Sequence, residues 1–98
     1  MKYTIVLRRN DDGSYTVTVP ALPGCVTQGD NIAESLAHAK EAIESHVEGL
    51  LILGKILPND ITDVTLELRE TEEILVFKVG VEPDLDIALK EKEIAQAA

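Results

Sequence analysis

The chain has 98 residues, 45% of them hydrophobic but only 3% aromatic, and a net charge of −9 at pH 7. That length holds one domain, not two, and with no Trp and a single Phe its core must be built from Val, Ile, Leu and Ala. A core so poor in large side chains often gains from self-association. A lone cysteine cannot form an internal disulfide and fits a reducing, cytoplasmic setting. Arg8 and Arg9 end the apolar start too early for a signal peptide. The longest purely apolar runs, Leu50 to Leu53 and Ile74 to Phe77, are far below the roughly 20 residues of a membrane span.

In chain order, KYTIVLR alternates strictly, with Tyr3, Ile5 and Leu7 on one face and Lys2, Thr4, Val6 and Arg8 on the other, the pattern of a half-buried strand. Asp12-Gly13 follows as a hairpin turn. SYTVTV then alternates again, so residues 2–20 read as a β-hairpin. Pro20 has no N–H for a ladder and ends the second strand. Pro23-Gly24 marks a turn, Cys25-Val26-Thr27 a short third strand, and Gly29 a bend into a helix.

The helix is capped by Asn31, with Glu34 at the capping-box spacing. Ile32, Leu36, Ala39, Ile43, Val47 and Leu50 form its apolar stripe. Gly54 is placed as the residue after its C-cap, with Pro58 forbidding continuation; Gly49, inside it, suggests close packing. VTLELRE, residues 64–70, alternates as a fourth strand. ILVFKVGV, residues 74–81, is apolar on both faces apart from Lys78 and reads as a fifth. Leu75, Phe77, Val79 and Val81 would face the helix, leaving Ile74 and Val76 on the far side. The tail LDIALKEKEIAQAA, residues 85–98, reads as a weak helix or an arm docking on a second chain.

The predicted order is β-β-β-α-β-β plus a C-terminal helix or arm: an α+β, two-layer domain with a mainly antiparallel sheet and one long helix on one face. A right-handed crossover would lay the 64–70 strand beside the first. Residues 1–81 form the domain and residues 82–98 the tail.

Charge narrows the function. Residues 1–30 are neutral overall, whereas residues 31–98 carry 6 basic and 15 acidic residues and hold all of the −9. With no basic stripe, such a surface repels nucleic-acid phosphates. It attracts a basic protein partner, or serves solubility alone.

Chemistry is harder to find. Cys25 is a possible nucleophile, but a nucleophilic thiol needs a base. The only histidines, His38 and His46, sit on the helix with no evident way to face Cys25. Cys25 with two helical histidines is not a metal-site spacing, and Glu41, Glu44 and Glu48 read as a solvated helix face. The chain has no phosphate-binding glycine loop. Its first strand has no acidic residue to help build a two-metal nuclease. The expectation is therefore no catalytic residue, no cofactor and no metal, with the Pro-Gly-Cys corner architectural.

An alternating first strand, a DDG turn, a second strand running into VPALPGCVTQGD, and a helix opening N-I-A-E-S-L-A-H-A-K-E-A-I together resemble the HicB-like antitoxins over about residues 3–58. The resemblance implies a partial RNase H-like fold without nuclease carboxylates. It also implies a partner, a small basic HicA-like toxin that cleaves mRNA, and assembly as a homodimer or higher oligomer. Many members add a C-terminal DNA-binding domain; residues 82–98 are too few and too acidic for one, so no direct nucleic-acid binding is expected. The alternative is a stand-alone oligomeric binding module of the same fold with another protein or a small ligand as its partner.

Overall fold

A computed structural model describes residues 1–66, 72–84 and 86. Its elements are β1 (Lys2–Arg9), β2 (Tyr15–Thr18), β3 (Val26–Gly29), α1 (Ile32–Ile52) and β4 (Ile74–Gly80). The strands form one sheet in the order β3-β2-β1-β4, antiparallel at every step. The fold is α+β: one long helix over one face of a four-stranded antiparallel sheet.

The β1–β2 hairpin turns where the sequence places it. Gly13 has φ +88 and donates to Asn10 O, while Asp12 accepts from the Ser14 N–H and hydroxyl. On the helix-facing side, Tyr3, Ile5, Leu7, Val17 and Val19 are buried against Ala39, Ile43 and Val47 of α1. Each fully buried Ile or Val contributes about 1.5–3 kcal/mol. Leu75, Phe77 and Val79 of β4 pack on this cluster and Val81 joins it, as their alternation predicts. On the opposite face Thr4 and Val6 are also buried, so central β1 is enclosed on both sides.

The helix ends match the sequence closely. Asn31 Oδ1 accepts from the Glu34 N–H at 2.8 Å. The reciprocal capping-box bond shifts by one residue, with Glu34 Oε1 accepting from the Asp30 N–H. At the other end Gly54, φ +70, donates to Leu51 O and Lys55 donates to Leu50 O. This paired arrangement is a Schellman motif.

Several expectations need correction. The third strand runs Val26–Gly29, not Cys25–Thr27; Cys25 instead closes the preceding corner. The buried helix stripe begins at Ser35, not Ile32, which is 39% exposed. The cause is Gly29: a Cβ there would sit closer than 3.0 Å to Ser35 N, Cα and Oγ. β3 and α1 thus meet backbone to backbone, with Ser35 inside the contact and its hydroxyl donating to Asn31 O. Gly29 is needed for this approach and not for a bend. Among the described residues Gly49 serves no close packing, since none of them lies within 4 Å of its Cβ position.

The strand expected over residues 64–70 lies mostly outside the described residues. Val64, Thr65 and Leu66 are in no strand, and residues 67–71 lie outside the described residues. The place beside β1 belongs to β4, antiparallel to it. Apolar on both faces, β4 suits a position beside the enclosed β1 better than VTLELRE, whose outward residues are charged. Among the described residues the strands that α1 connects, β3 and β4, run antiparallel, so the right-handed crossover rule does not apply to them. Of the tail, only Asp86 lies within the described residues.

Candidate functional site

The Pro-Gly-Cys corner is a closed backbone loop. Val19 O accepts from the Leu22 N–H, Leu22 O accepts from the Cys25 N–H, and the Val19 N–H donates to Cys25 O. Gly24 takes φ +86, and Leu22 plugs the loop into the core at 1% exposure. Cys25 is 5% exposed within the same cluster. Burial pushes its thiol pKa up, the opposite of what a nucleophile needs.

Beside this corner, Thr27, Gln28, His38, Glu41 and Ala42 line an open groove of about 490 Å³ between the outer edge of β3 and α1. Strand geometry explains its floor. The Val19–Cys25 bond directs the backbone groups of Cys25, Thr27 and Gly29 toward β2, so those of Val26 and Gln28 point outward. His38 reaches down from α1, its Nδ1 donating to the outward Gln28 carbonyl at 2.6 Å. Glu34 Oε1 lies 3.9 Å from the same nitrogen. Glu41 makes no hydrogen bond or ion pair among the described residues. The groove therefore offers the Glu41 carboxylate and backbone, and no Lys or Arg lines it; it suits a cationic side chain better than an anion.

Other acidic residues have internal work. Glu44 Oε2 accepts from the Glu82 N–H and Glu48 Oε1 from the Asp84 N–H, tying the chain after β4 along α1. This corrects the reading of Glu44 and Glu48 as a purely solvated face. Glu72 and Glu73 pair with Arg8 and Arg9. Asp60 holds both the Thr4 N–H and the Thr4 hydroxyl at 2.8 Å, with Lys78 Nζ 3.6 Å away. Extending the β1–β2 register by one pair would set Thr4 opposite Pro20, where the ladder ends. Asp60 takes the partner's place. Desolvation raises its pKa, but the two Thr4 bonds, the Ile61 N–H and the Lys78 charge outweigh it, leaving the carboxyl below its usual value. Tyr3 clamps the same segment through its hydroxyl, which donates to Pro58 O at 2.6 Å. No local pattern announces this clasp, because its partners are 55 and 56 residues apart.

Among the described residues no group of three or more His, Cys, Asp or Glu could hold a metal ion, and no helix is long and apolar enough to cross a membrane. His38 and Cys25 are not brought together as nucleophile and base, since the His38 Nδ1 is engaged by Gln28. The second histidine, His46, makes no hydrogen bond among the described residues.

Residues 3–92 match the model of a family described as HicB-like antitoxins of bacterial toxin–antitoxin systems. The chain is 47% identical over 60 residues to the UPF0150 protein Ta0767 of Thermoplasma acidophilum, a match spanning 61% of this chain and 87% of that protein. Among solved structures it is similar to a chain of a HicA3 and HicB3 toxin–antitoxin complex, with a TM-score of 0.63 and 25% identity, covering 85% of this chain and all of the other. It is also similar to a chain of a toxin–antitoxin complex from Streptococcus pneumoniae, with a TM-score of 0.70 and 25% identity, covering 84% of this chain and 69% of the other. The family match spans most of the chain, from β1 through β4, and the chain belongs to the HicB-like antitoxin family.

Proposed function

We propose that this protein is a cytoplasmic antitoxin that binds a small, basic, mRNA-cleaving HicA-like toxin and blocks it by occupation, without chemistry of its own. The family match over residues 3–92 carries the reading. The groove beside β3 supports it physically: Glu34, Glu41 and the nearby Asp30 present negative charge on a rigid strand–helix junction, where a basic partner is attracted and steered. Residues 1–81 act as the binding domain, working as a homo-oligomer, and residues 82–98 as a dimer arm and not a DNA-reading unit. No residue has a catalytic, cofactor or metal role in this scheme.

The test is co-expression with a small basic HicA-like toxin. Growth arrest by that protein should be relieved by the parent chain and by Cys25→Ser, and relieved less by Glu34→Lys combined with Glu41→Lys. The affinity measured with purified proteins should fall as salt rises. No relief by the parent refutes the antitoxin reading. Relief lost in a stably folded Cys25→Ser variant refutes the architectural role of the corner. An upstream DNA fragment shifted by the isolated chain refutes the absence of a DNA role.

A further inference from the structure

Along the groove beside β3 a strip of backbone is left open. The chain on either side of β3 is described throughout, from the Val19–Cys25 corner to the start of α1. The Val26 N–H, the Val26 carbonyl and the Gln28 N–H all point away from β2, and among the described residues no hydrogen bond reaches any of them. The fourth outward group, the Gln28 carbonyl, is taken by His38. Val26 is 59% exposed, so none of those residues covers the strip. An open strand edge of this kind is a template for an extended segment of another chain.

We propose that an extended segment of the basic partner adds to the outer edge of β3 as a further strand and sets a Lys or Arg side chain in the groove against Glu41. The identity of the partner rests on the proposed function; the mode of recognition rests on β3 alone. Val17, buried under α1, pairs with Thr27, so Thr27 is on the helix side of the sheet and Val26 and Gln28 are on the other. A residue laid opposite Thr27 must then point its side chain to the helix side, into the space lined by Thr27, His38, Glu41 and Ala42. Its two neighbours on the added strand lie opposite Val26 and Gln28, where they take the three open backbone bonds. The His38–Gln28 bond closes the strip at one end and the Pro-Gly-Cys corner closes it at the other. The groove, at about 490 Å³, has room for a long side chain. Its charge selects which one: Glu41 lies in the lining and Glu34 one turn earlier on α1, so an acidic side chain is repelled and a cation is held. Backbone pairing thus supplies affinity for any extended segment, and the single position opposite Thr27 supplies the choice among them.

Amide hydrogen exchange on the full-length chain with a small basic HicA-like toxin is the first test. The Val26 and Gln28 N–H groups should exchange at least about tenfold more slowly in the complex. Val26→Pro removes an outward N–H that an edge strand can lose and leaves the charge unchanged, so it should bind the toxin about tenfold more weakly. Val26→Ala, which trims the side chain but keeps the N–H, should bind clearly better than Val26→Pro. Glu41→Gln should also weaken binding, and by less as salt rises. In a complex that forms, exchange left unchanged at either position, or Val26→Pro binding as well as Val26→Ala, overturns strand addition and leaves the antitoxin reading standing. Where Val26→Pro does not fold, the exchange measurement on the parent decides. A Glu41→Gln chain that binds like the parent at low salt overturns the cation in the groove. If the parent binds no toxin, the antitoxin reading fails, and a peptide titration decides this inference by itself. The probe is the acetylated, amidated peptide Thr-Val-Lys-Val-Thr, whose symmetry serves either strand direction. At millimolar peptide the Val26, Thr27 and Gln28 amide signals of the isotope-labelled chain should shift saturably, and the same peptide with Glu in place of Lys should move none of them. Equal shifts with both peptides, or shifts with neither, overturn the proposal.

Discussion

The two sides of this sheet are held by different kinds of contact. On the β3 side every important partner is close in sequence: Val19, Leu22 and Cys25 close the corner, Gly29 receives Ser35, Asn31 caps α1 and His38 returns to Gln28. On the β1–β4 side the partners are distant: Tyr3 with Pro58, Thr4 with Asp60, Arg8 with Glu72, Glu44 with Glu82. The first side is a unit that a local sequence can specify. The second is assembled only when the chain returns, and its polar contacts replace ladder bonds that β2 stops providing at Pro20. The contrast can be tested at its tightest local contact, at its central distant one, and at the edge.

Gly29→Ala should have the largest effect. The added methyl meets the backbone N and Cα of Ser35, which no side-chain rotation relieves, so α1 must shift away from β3. A loss of about 3 kcal/mol, at the upper end of overpacking costs, is expected in urea unfolding. Gly49→Ala is the matched control. With nothing within 4 Å of the new Cβ, it should stabilise the helix by about 0.5–1 kcal/mol. If both substitutions moved stability in the same direction, the β3–α1 contact would not be the tight junction argued here.

Asp60→Ala should rank next. Thr4 is only 3% exposed, so its N–H and hydroxyl would lose their partner in a buried place, at a cost of about 1–3 kcal/mol. The pH dependence supplies a second readout. The folded-state pKa of Asp60 is depressed, so its contribution is fully present above the unfolded value of about 3.9. It fades as pH falls through the lower folded value. The gap between parent and Asp60→Ala should therefore be wide at pH 7 and narrow well below pH 4. An equal gap at both pH values would mean that the lost contact is steric and not the carboxylate's hydrogen bonds.

How much of this was legible in the sequence follows the same division. The hairpin, the corner, the Asn31 cap and the Gly54 stop each depend on residues within a few positions, and local rules for turns and caps found them. The face assignment of Leu75, Phe77 and Val79 was also legible, since alternation needs no partner. What alternation cannot decide is which of two alternating segments takes the place beside β1; VTLELRE and ILVFKVG both qualify locally, and only burial on both faces of β1 separates them. The Asp60 clasp was illegible because an Asp in a loop reads as solvated until Thr4 is set opposite Pro20. In the groove, His38 was correctly placed on the polar side of α1, but its role at the edge of β3 required knowing that the Gln28 carbonyl points outward.

His38→Ala probes that role and should have the smallest effect on stability. The imidazole is 43% exposed, so losing its bond to Gln28 O should change the unfolding free energy by about 0.5–1 kcal/mol at most. Its effect on assembly should be greater. The outer edge of β3 relies on His38 to occupy an outward carbonyl. Removing the ring leaves Val26, already 59% exposed, beside an edge with nothing bound to it, and an unprotected edge is a template for pairing with another chain. Sedimentation of His38→Ala across a concentration series should show species heavier than the parent at the highest concentrations, with the folded fraction unchanged. His38→Gln, whose amide can still donate to Gln28 O, should suppress them. If His38→Ala sedimented like the parent throughout, the shortness of β3 and the bulk of α1 would be what keeps that edge closed, and the histidine would be incidental to it.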